Sequence, residues 1–389
     1  MKPFSRLVFV SALSGFSVLP LAAQDARAKS ATLAVAAMDK AIADKEIAGS
    51  VTLVAGKEGV IFSSTNGFSD LEKKTPMAKD AMFWIASMTK PVTGTAVMMM
   101  QDAGKLSVDD PVSKYIPAFK DLKDKDGKPV TVTIKQCLTH SSGLSEVSPE
   151  ESGDIASLEA LMPLIVAKPV MFEPGSQWQY CQTSINTAAR VVEVVSGESF
   201  PEFLEKHLFG PLGMKDTTFY PDEKQASRIA TSYKRTDAGE LEKAGLMFLG
   251  NKPITSKERY PRANGGLFST AEDYAKFARM ILNGGELDGK RYLSETAVKQ
   301  MTTVQSGDLK TGFTPGNGWG LGWCVVREPQ GVTAAVSPGT FGHGGAYGTQ
   351  AWIDPVKGRA YVMLVQRANF PNSDGSEVRK AFQDAAAGL

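Results

Sequence analysis

The chain has 389 residues, with 43 lysines and arginines against 42 aspartates and glutamates and a formal net charge of +1. That balance, with no local basic cluster, excludes a nucleic-acid surface built on electrostatic attraction. Cys137, Cys181 and Cys324 are too few and too far apart for a disulfide framework, so buried free thiols are expected, although an exported location permits one bridge.

Lys2 and Arg6 open a positive segment, Leu7 to Leu21 is apolar, and Ala22 and Ala23 are small. Residues 1–23 therefore read as a signal peptide cleaved after Ala23. A membrane span is the competing reading, but Ser11, Ser14, Gly15, Ser17 and Pro20 interrupt a run shorter than the roughly 20 apolar residues a bilayer needs. The mature protein is expected to be exported, periplasmic or secreted, with no membrane span. About 365 residues then remain, enough for two domains at about 150 residues each.

Ala31 to Lys45 carries apolar residues near helical spacing, and Ser50 to Ala55 and Val60 to Thr65 read as a β-hairpin about the Gly56 to Gly59 turn. Helical patterns dominate from Ser87 to about Arg262, among them Leu158 to Ala167, Ser184 to Ser196 and Pro201 to Leu208. Strand patterns return at Gly320 to Val326, Phe341 to Gly345, Thr349 to Ile353 and Arg359 to Gln366, before a last helix over Ser376 to Ala387. A lone hairpin cannot bury enough surface to persist, so the N-terminal one is expected to complete the C-terminal antiparallel sheet. Residues 29–86 and 263–389 then form a discontinuous sheet-containing domain, residues 87–262 a mostly helical insertion, and the cleft between them a natural ligand site.

Ser87-Met88-Thr89-Lys90 is the one S-x-x-K in the chain, placed where the apolar Phe83 to Ala86 run gives way to a helical pattern. Residues three apart share a helix face, so Lys90 reaches the Ser87 hydroxyl. Pro91 fits the first turn, where its missing N–H breaks no helical bond. A free lysine, with a pKa of about 10.4, is protonated at neutral pH and accepts nothing, so such a site must desolvate the amine. By its letters alone the motif is equally consistent with an N-cap serine followed by a solvated lysine.

Further segments extend the pattern: Trp84-Ile85-Ala86-Ser87-Met88-Thr89-Lys90, Leu138-Thr139-His140-Ser141-Ser142-Gly143-Leu144, Phe172-Glu173-Pro174-Gly175 through Tyr180, Gly265-Gly266-Leu267 through Ser269-Thr270, and Gly342-His343-Gly344-Gly345. In this the chain resembles the serine β-lactamase and penicillin-binding-protein superfamily, especially its class C-like branch of D,D-carboxypeptidases, D-aminopeptidases and family VIII carboxylesterases, over roughly Ala34 to Pro371. The resemblance implies an α+β fold of the serine β-lactamase/D,D-peptidase type, an antiparallel sheet flanked by helices with an inserted helical domain. It implies an acyl-enzyme on Ser87, with Lys90 as proton acceptor and Tyr180 in the place of the family's proton-shuttling tyrosine. Where the family has Y-x-N this chain has Tyr180-Cys181-Gln182, which leaves the amide contact of Gln182 in doubt; Ser184-Ile185-Asn186 is a literal alternative one turn later.

Two segments compete for the family's third element, K-T-G on an inner strand. Lys310-Thr311-Gly312 has the letters but lies in a polar, Gly- and Pro-bounded stretch, whereas His343-Gly344-Gly345 has the strand context. The second is preferred, because oxyanion stabilisation needs a backbone N–H on a rigid strand. The expected oxyanion hole is the backbone N–H of Ser87 and of Ala346, with Lys310 an ordinary surface residue. A neutral histidine and a glycine offer a substrate carboxylate less than Lys and Thr do, which moves the expected activity toward small esters or amides. Arg367 is the residue that restores a carboxylate contact, unless it is simply a solvated edge residue. The polar stretch Pro221 to Tyr260 is expected on the cleft rim.

The expected partner is a small ester, amide or peptide substrate, and no cofactor or metal is required. D,D-carboxypeptidase or β-lactamase action, and a non-hydrolytic binder or sensor that keeps the pocket, remain as alternatives. Gly284 to Lys290 mimics a phosphate loop but lacks its Ser/Thr and its preceding strand, and Met98 to Met100 reads as core filling. His140 reads as a turn residue, and Gly318, Gly320 and Gly322 as strand glycines beside aromatics.

Overall fold

The computed structural model describes residues 21–389 except Asp154, Gly250 and Asn251. The expected signal peptide lies outside the described residues up to position 20, and its last three residues fall at the start of the first helix.

β-rich segments from the two ends of the chain meet in one eight-stranded sheet. Its strands are β1 (Gly49–Ala55), β2 (Val60–Asp70), β3 (Thr75–Pro76), β4 (Asn317–Trp319), β5 (Cys324–Val326), β6 (Phe341–Gly344), β7 (Gln350–Asp354) and β8 (Arg359–Leu364). They lie in the order β4-β5-β6-β7-β8-β1-β2-β3, each antiparallel to its neighbours. The N-terminal hairpin completes the C-terminal sheet through β1 and β8, with Val51 opposite Leu364 and Leu53 opposite Val362.

The helices that matter for the site are α1 (Leu21–Ala43), α2 (Thr89–Asp102), α3 (Leu158–Val166), α4 (Gln182–Ser196), α5 (Ala271–Leu282) and α6 (Glu377–Ala386). α1 and α6 pack together on one sheet face, where Met38, Val54, Tyr361, Met363 and Phe382 share a core. α5 covers the other face, and there Val51, Leu53, Val362 and Leu364 join a core that runs on without a break into α2, α3 and α4. Burial on two faces is why β1 and β8 read as near-continuous apolar runs. Each Val or Leu so placed contributes about 1.5–3 kcal/mol.

Of the predicted strand Gly320 to Val326 only Cys324–Val326 is strand, β5; Gly320–Gly322 is the turn by which it folds back on β4, which precedes the predicted range. Gly322 sits at φ +81°, a conformation that glycine adopts without steric cost, so the chain reverses there. α2 lies directly on this turn: a side chain at Gly322 would meet the Lys90 carbonyl at 2.7 Å, and one at Gly94 would meet the Leu321 carbonyl oxygen. The helix that carries Lys90 is thereby seated on the sheet by backbone contact.

A mid-helix glycine costs about 1 kcal/mol relative to alanine, so helix propensity alone favours Gly94→Ala. The overlap with Leu321 outweighs that gain: Gly94→Ala is expected to lower stability by about 1–3 kcal/mol, read from urea denaturation midpoints. A midpoint that holds or rises would show that the turn yields without cost.

Candidate active site

The nucleophile segment is held from several sides. The short strand Phe83–Trp84 pairs with Phe268–Ser269, and the Ile85 N–H donates to the Leu267 carbonyl at 3.0 Å. Ala86 then adopts φ +46°, a strained value for a residue with a Cβ. Thr89 Oγ1 fixes it by donating to the Ala86 carbonyl at 2.7 Å. Ser87 follows in a single 3-10 turn, Ala86–Met88, and α2 begins at Thr89, so Lys90 and Pro91 both stand in its first turn.

Lys90 is wholly buried, and its Nζ has three oxygen neighbours: Ser87 Oγ at 3.0 Å, Gln182 Oε1 at 2.8 Å and the Asn264 carbonyl at 2.7 Å. Burial pushes its pKa down to about 7, against the opposing charges of Glu146, Cys181 and Asp374. A neutral amine has two N–H bonds and one lone pair. Gln182 Oε1 and the Asn264 carbonyl accept the two N–H bonds, and the lone pair is left facing the Ser87 hydroxyl.

Gln182 therefore makes the contact left in doubt by the extra methylene. Its Oε1 also accepts from Asn264 Nδ2 at 2.9 Å, so one amide ties Lys90 to the Asn264 loop. Gln182 opens α4, whose first N–H groups are capped from a distant loop: Glu146 accepts from the Gln182 N–H at 2.5 Å, the Thr183 N–H at 3.1 Å and Thr183 Oγ1 at 2.9 Å. The alternative Ser184-Ile185-Asn186 lies elsewhere. Ser184 is buried against Ser142 at 2.6 Å, and Asn186 accepts from the Asn264 N–H at 3.3 Å, which supports the loop and does not face the nucleophile.

The Tyr180 ring lies 4.5 Å from Lys90 Nζ, and its phenol interacts with the Ser87 side chain. Burial raises the phenol well above its ordinary pKa, with Ser87 partly offsetting the rise, so Tyr180 keeps its proton. His140 is more than a turn residue. It sits at φ +60°, its ring packs tilted against Tyr180 with centroids 4.5 Å apart, its carbonyl accepts from the Gln179 N–H at 2.9 Å and its Nδ1 accepts from the Cys181 N–H at 3.0 Å. One residue thus grips the residues before and after Tyr180, by its backbone carbonyl and its side chain. Burial, helped by Lys90, keeps the imidazole neutral and able to accept.

Ser87, Tyr180, Gln182, His343, Gly344, Gly345 and Ala346 line one cleft of about 540 Å³. Nothing larger than hydrogen fits on Gly345, whose side chain would meet the Ile85 carbonyl at 2.6 Å and Thr349 Oγ1. Gly345 N–H donates to the Thr349 carbonyl at 2.7 Å, and Thr349 Oγ1 donates to the Ile85 carbonyl at 3.3 Å. The strand end that presents Ala346 is thus locked to the turn that presents Ser87. His343 Nδ1 donates to the Gly344 carbonyl at 2.6 Å, and burial with the nearby Lys90 pushes its pKa down to about 3, so it is neutral.

Other expectations are corrected. Arg367 is neither in the cleft nor solvated: it is buried, ion-paired with Glu46 and stacked over Phe370 at 4.3 Å. Lys310 is exposed, yet the residues just after it, Gly312 and Phe313, form one wall of the cleft. The other wall is Phe370 to Asp374; no described residue of the Pro221 to Tyr260 stretch lines this cleft, and the stretch packs through Phe248 on Trp84 and the Gly245 carbonyl on the Tyr347 hydroxyl. Glu146, Asn264, Phe313 and Asp374 carried no sequence signal, because each reaches the site from a loop far along the chain. Cys137, Cys181 and Cys324 are free and buried. Among the described residues no helix is long and apolar enough to cross a membrane, and no cluster of His, Cys, Asp or Glu is placed to hold a metal.

A serine on a strained turn, a desolvated lysine one helical step away and a protonated tyrosine beside both are the arrangement of a serine hydrolase. The sequence pattern of the Beta-lactamase family matches residues 34–386, and the chain belongs to that family. It is 27% identical to esterase EstB of Burkholderia gladioli over 86% of this chain and 89% of that one. It is 32% identical to penicillin-binding protein 4 of Amycolatopsis lactamdurans over 70% of this chain and 68% of that one. Among solved structures, EstCE1, a hydrolase with promiscuous acyltransferase activity, superposes with a TM-score of 0.81 at 27% identity, covering 93% of this chain and 100% of its own.

With Lys90 read as the acceptor of the Ser87 proton, kcat/KM is expected to rise with pH and level off above an apparent pKa of about 7. Glu146 is the foremost neighbouring charge favouring the ammonium, so Glu146→Gln is expected to let the proton leave more readily and to move the rising limb to lower pH. A limb that stays in place or moves upward would remove Lys90 from the role of proton acceptor.

Proposed function

We propose that this protein is an exported serine esterase that hydrolyses small carboxylic esters, and more slowly amides, through an acyl-enzyme on Ser87. The observation that carries the reading is the Lys90 amine, with Gln182 Oε1 and the Asn264 carbonyl accepting its N–H bonds and its lone pair left to the Ser87 hydroxyl. The leader-like first 23 residues support export.

In this mechanism Lys90 takes the Ser87 proton as Oγ bonds to the substrate carbonyl carbon. The backbone N–H groups of Ser87 and Ala346 stabilise the oxyanion. Tyr180 passes its proton to the leaving oxygen as the C–O bond breaks and recovers one from the Lys90 ammonium. Water then repeats the sequence on the acyl-enzyme and frees the acid. Neutral His343 and bare Gly344 place neither a charge nor a hydroxyl beside the substrate, which favours esters over carboxylate-terminated peptides and β-lactams.

A short-chain nitrophenyl ester, a chromogenic cephalosporin and a D-alanyl peptide offered to the purified protein separate the candidate activities. Fastest turnover of the ester is expected, with Ser87→Ala lowering kcat by a factor on the order of 10³ or more. A stable adduct without turnover would make the protein a sensor, and an unchanged rate in Ser87→Ala would remove the acyl-enzyme.

Tyr180→Phe separates the steps. Nitrophenolate departs without a proton, whereas an alkoxide does not, so the variant is expected to lose about 10²-fold or more in kcat on alkyl esters and much less on nitrophenyl esters. Equal losses on the two would take Tyr180 off the leaving-group side.

A further inference from the structure

Asp374 is the one acidic residue among those lining the cleft with Ser87, and it is built into place. Asn372 Oδ1 accepts from the Asp374 N–H and the Gly375 N–H, each at 3.0 Å, while Asn372 Nδ2 donates to the Phe313 carbonyl at 3.0 Å. Arg379, buried over Trp352, donates from Nη1 to the Asp374 carbonyl at 2.6 Å. Gln350, paired with Gly344 across β6 and β7, donates from Nε2 to Asp374 Oδ1 at 3.3 Å and to the Ser373 carbonyl at 3.1 Å.

Gly344 is what admits this carboxylate. A Cβ at position 344 would fall on Asp374 Oδ1, so the acidic group occupies the space that any other residue there would fill. The side of the cleft concerned follows from Tyr180, which serves the leaving group: its ring contacts Phe313 at 4.7 Å and His343 at 6.1 Å. Phe313, His343, Gly344 and Asp374 together also line a small inner recess of about 10 Å³.

We propose that Asp374 sets the charge preference of the leaving-group side, rejecting ester leaving groups that bear a carboxylate and accepting neutral or cationic alcohols and phenols. The proposal rests on the esterase reading above and names its substrate class. Like charges brought together in a poorly solvated site repel strongly, and neutral His343 adds no cation to Arg379 and Lys90, which already act on the carboxylate. Burial raises the Asp374 pKa, while Arg379, Gln350 and Lys90 favour its ionised form.

Phenyl acetate, its 3-carboxy analogue and its 3-trimethylammonio analogue form a matched neutral, anionic and cationic series with one acyl group. The wild-type protein is expected to show kcat/KM for the anionic ester at least about tenfold below the neutral one, and for the cationic ester equal to or above it. Asp374→Asn, nearly isosteric, is expected to raise the anionic-to-neutral ratio by about tenfold. Equal rates on the anionic and neutral esters in the wild type, or a ratio unmoved in a folded Asp374→Asn, would overturn the proposal. Absence of turnover of neutral phenyl acetate by the wild type would instead overturn the esterase reading on which it rests.

Discussion

The site depends on one amine kept out of water. Lys90 is buried with no carboxylate of the described residues at hydrogen-bond distance from it, and its oxygen neighbours are an amide, a carbonyl and the Ser87 hydroxyl. An acid at hydrogen-bond distance would hold the ammonium and leave Ser87 without a base. Amide and carbonyl oxygens orient the nitrogen at smaller electrostatic cost to its neutral form, while desolvation brings its pKa to about 7. Glu146 is near enough to act through its charge, but its hydrogen bonds go to the start of α4.

Preorganisation of this kind needs rigid supports, and the structure supplies them as direct backbone contacts. α2 rests on the Gly320–Gly322 turn, and the turn before Ser87 is locked through Thr349 to the end of β6. Lys90, Ser87 and Ala346 are therefore fixed to the same sheet. His140 performs the matching task for Tyr180 from the helical side, gripping the residues before and after it. Strain at Ala86 is tolerated because hydrogen bonds on both flanks over-determine its position.

The electrostatic character of the cleft differs from what its position on the strand suggests. His343 is neutral, Arg367 is consumed by Glu46, and the charged side chain that does reach the cleft wall is Asp374. Aromatic walls from Phe313 and Phe370 complete it.

Local patterns in the amino-acid sequence were sufficient for the sheet and for the proximity of Ser87 and Lys90. A lone hairpin before the helical block cannot bury enough surface and must join the strands after it, and a three-residue step on a helix puts two side chains on one face whatever surrounds them. Periodicity is blind to reversals, so Gly320 to Val326 read as one strand although Gly320–Gly322 is the turn between β4 and β5. Contacts between distant loops decided the rest: that Gln182 spans to Lys90, that His140 grips Tyr180, that Arg367 turns away to Glu46, and that Asp374 fills the space over Gly344. None of these follows from spacing, because each depends on where the packed core leaves the ends of separate elements.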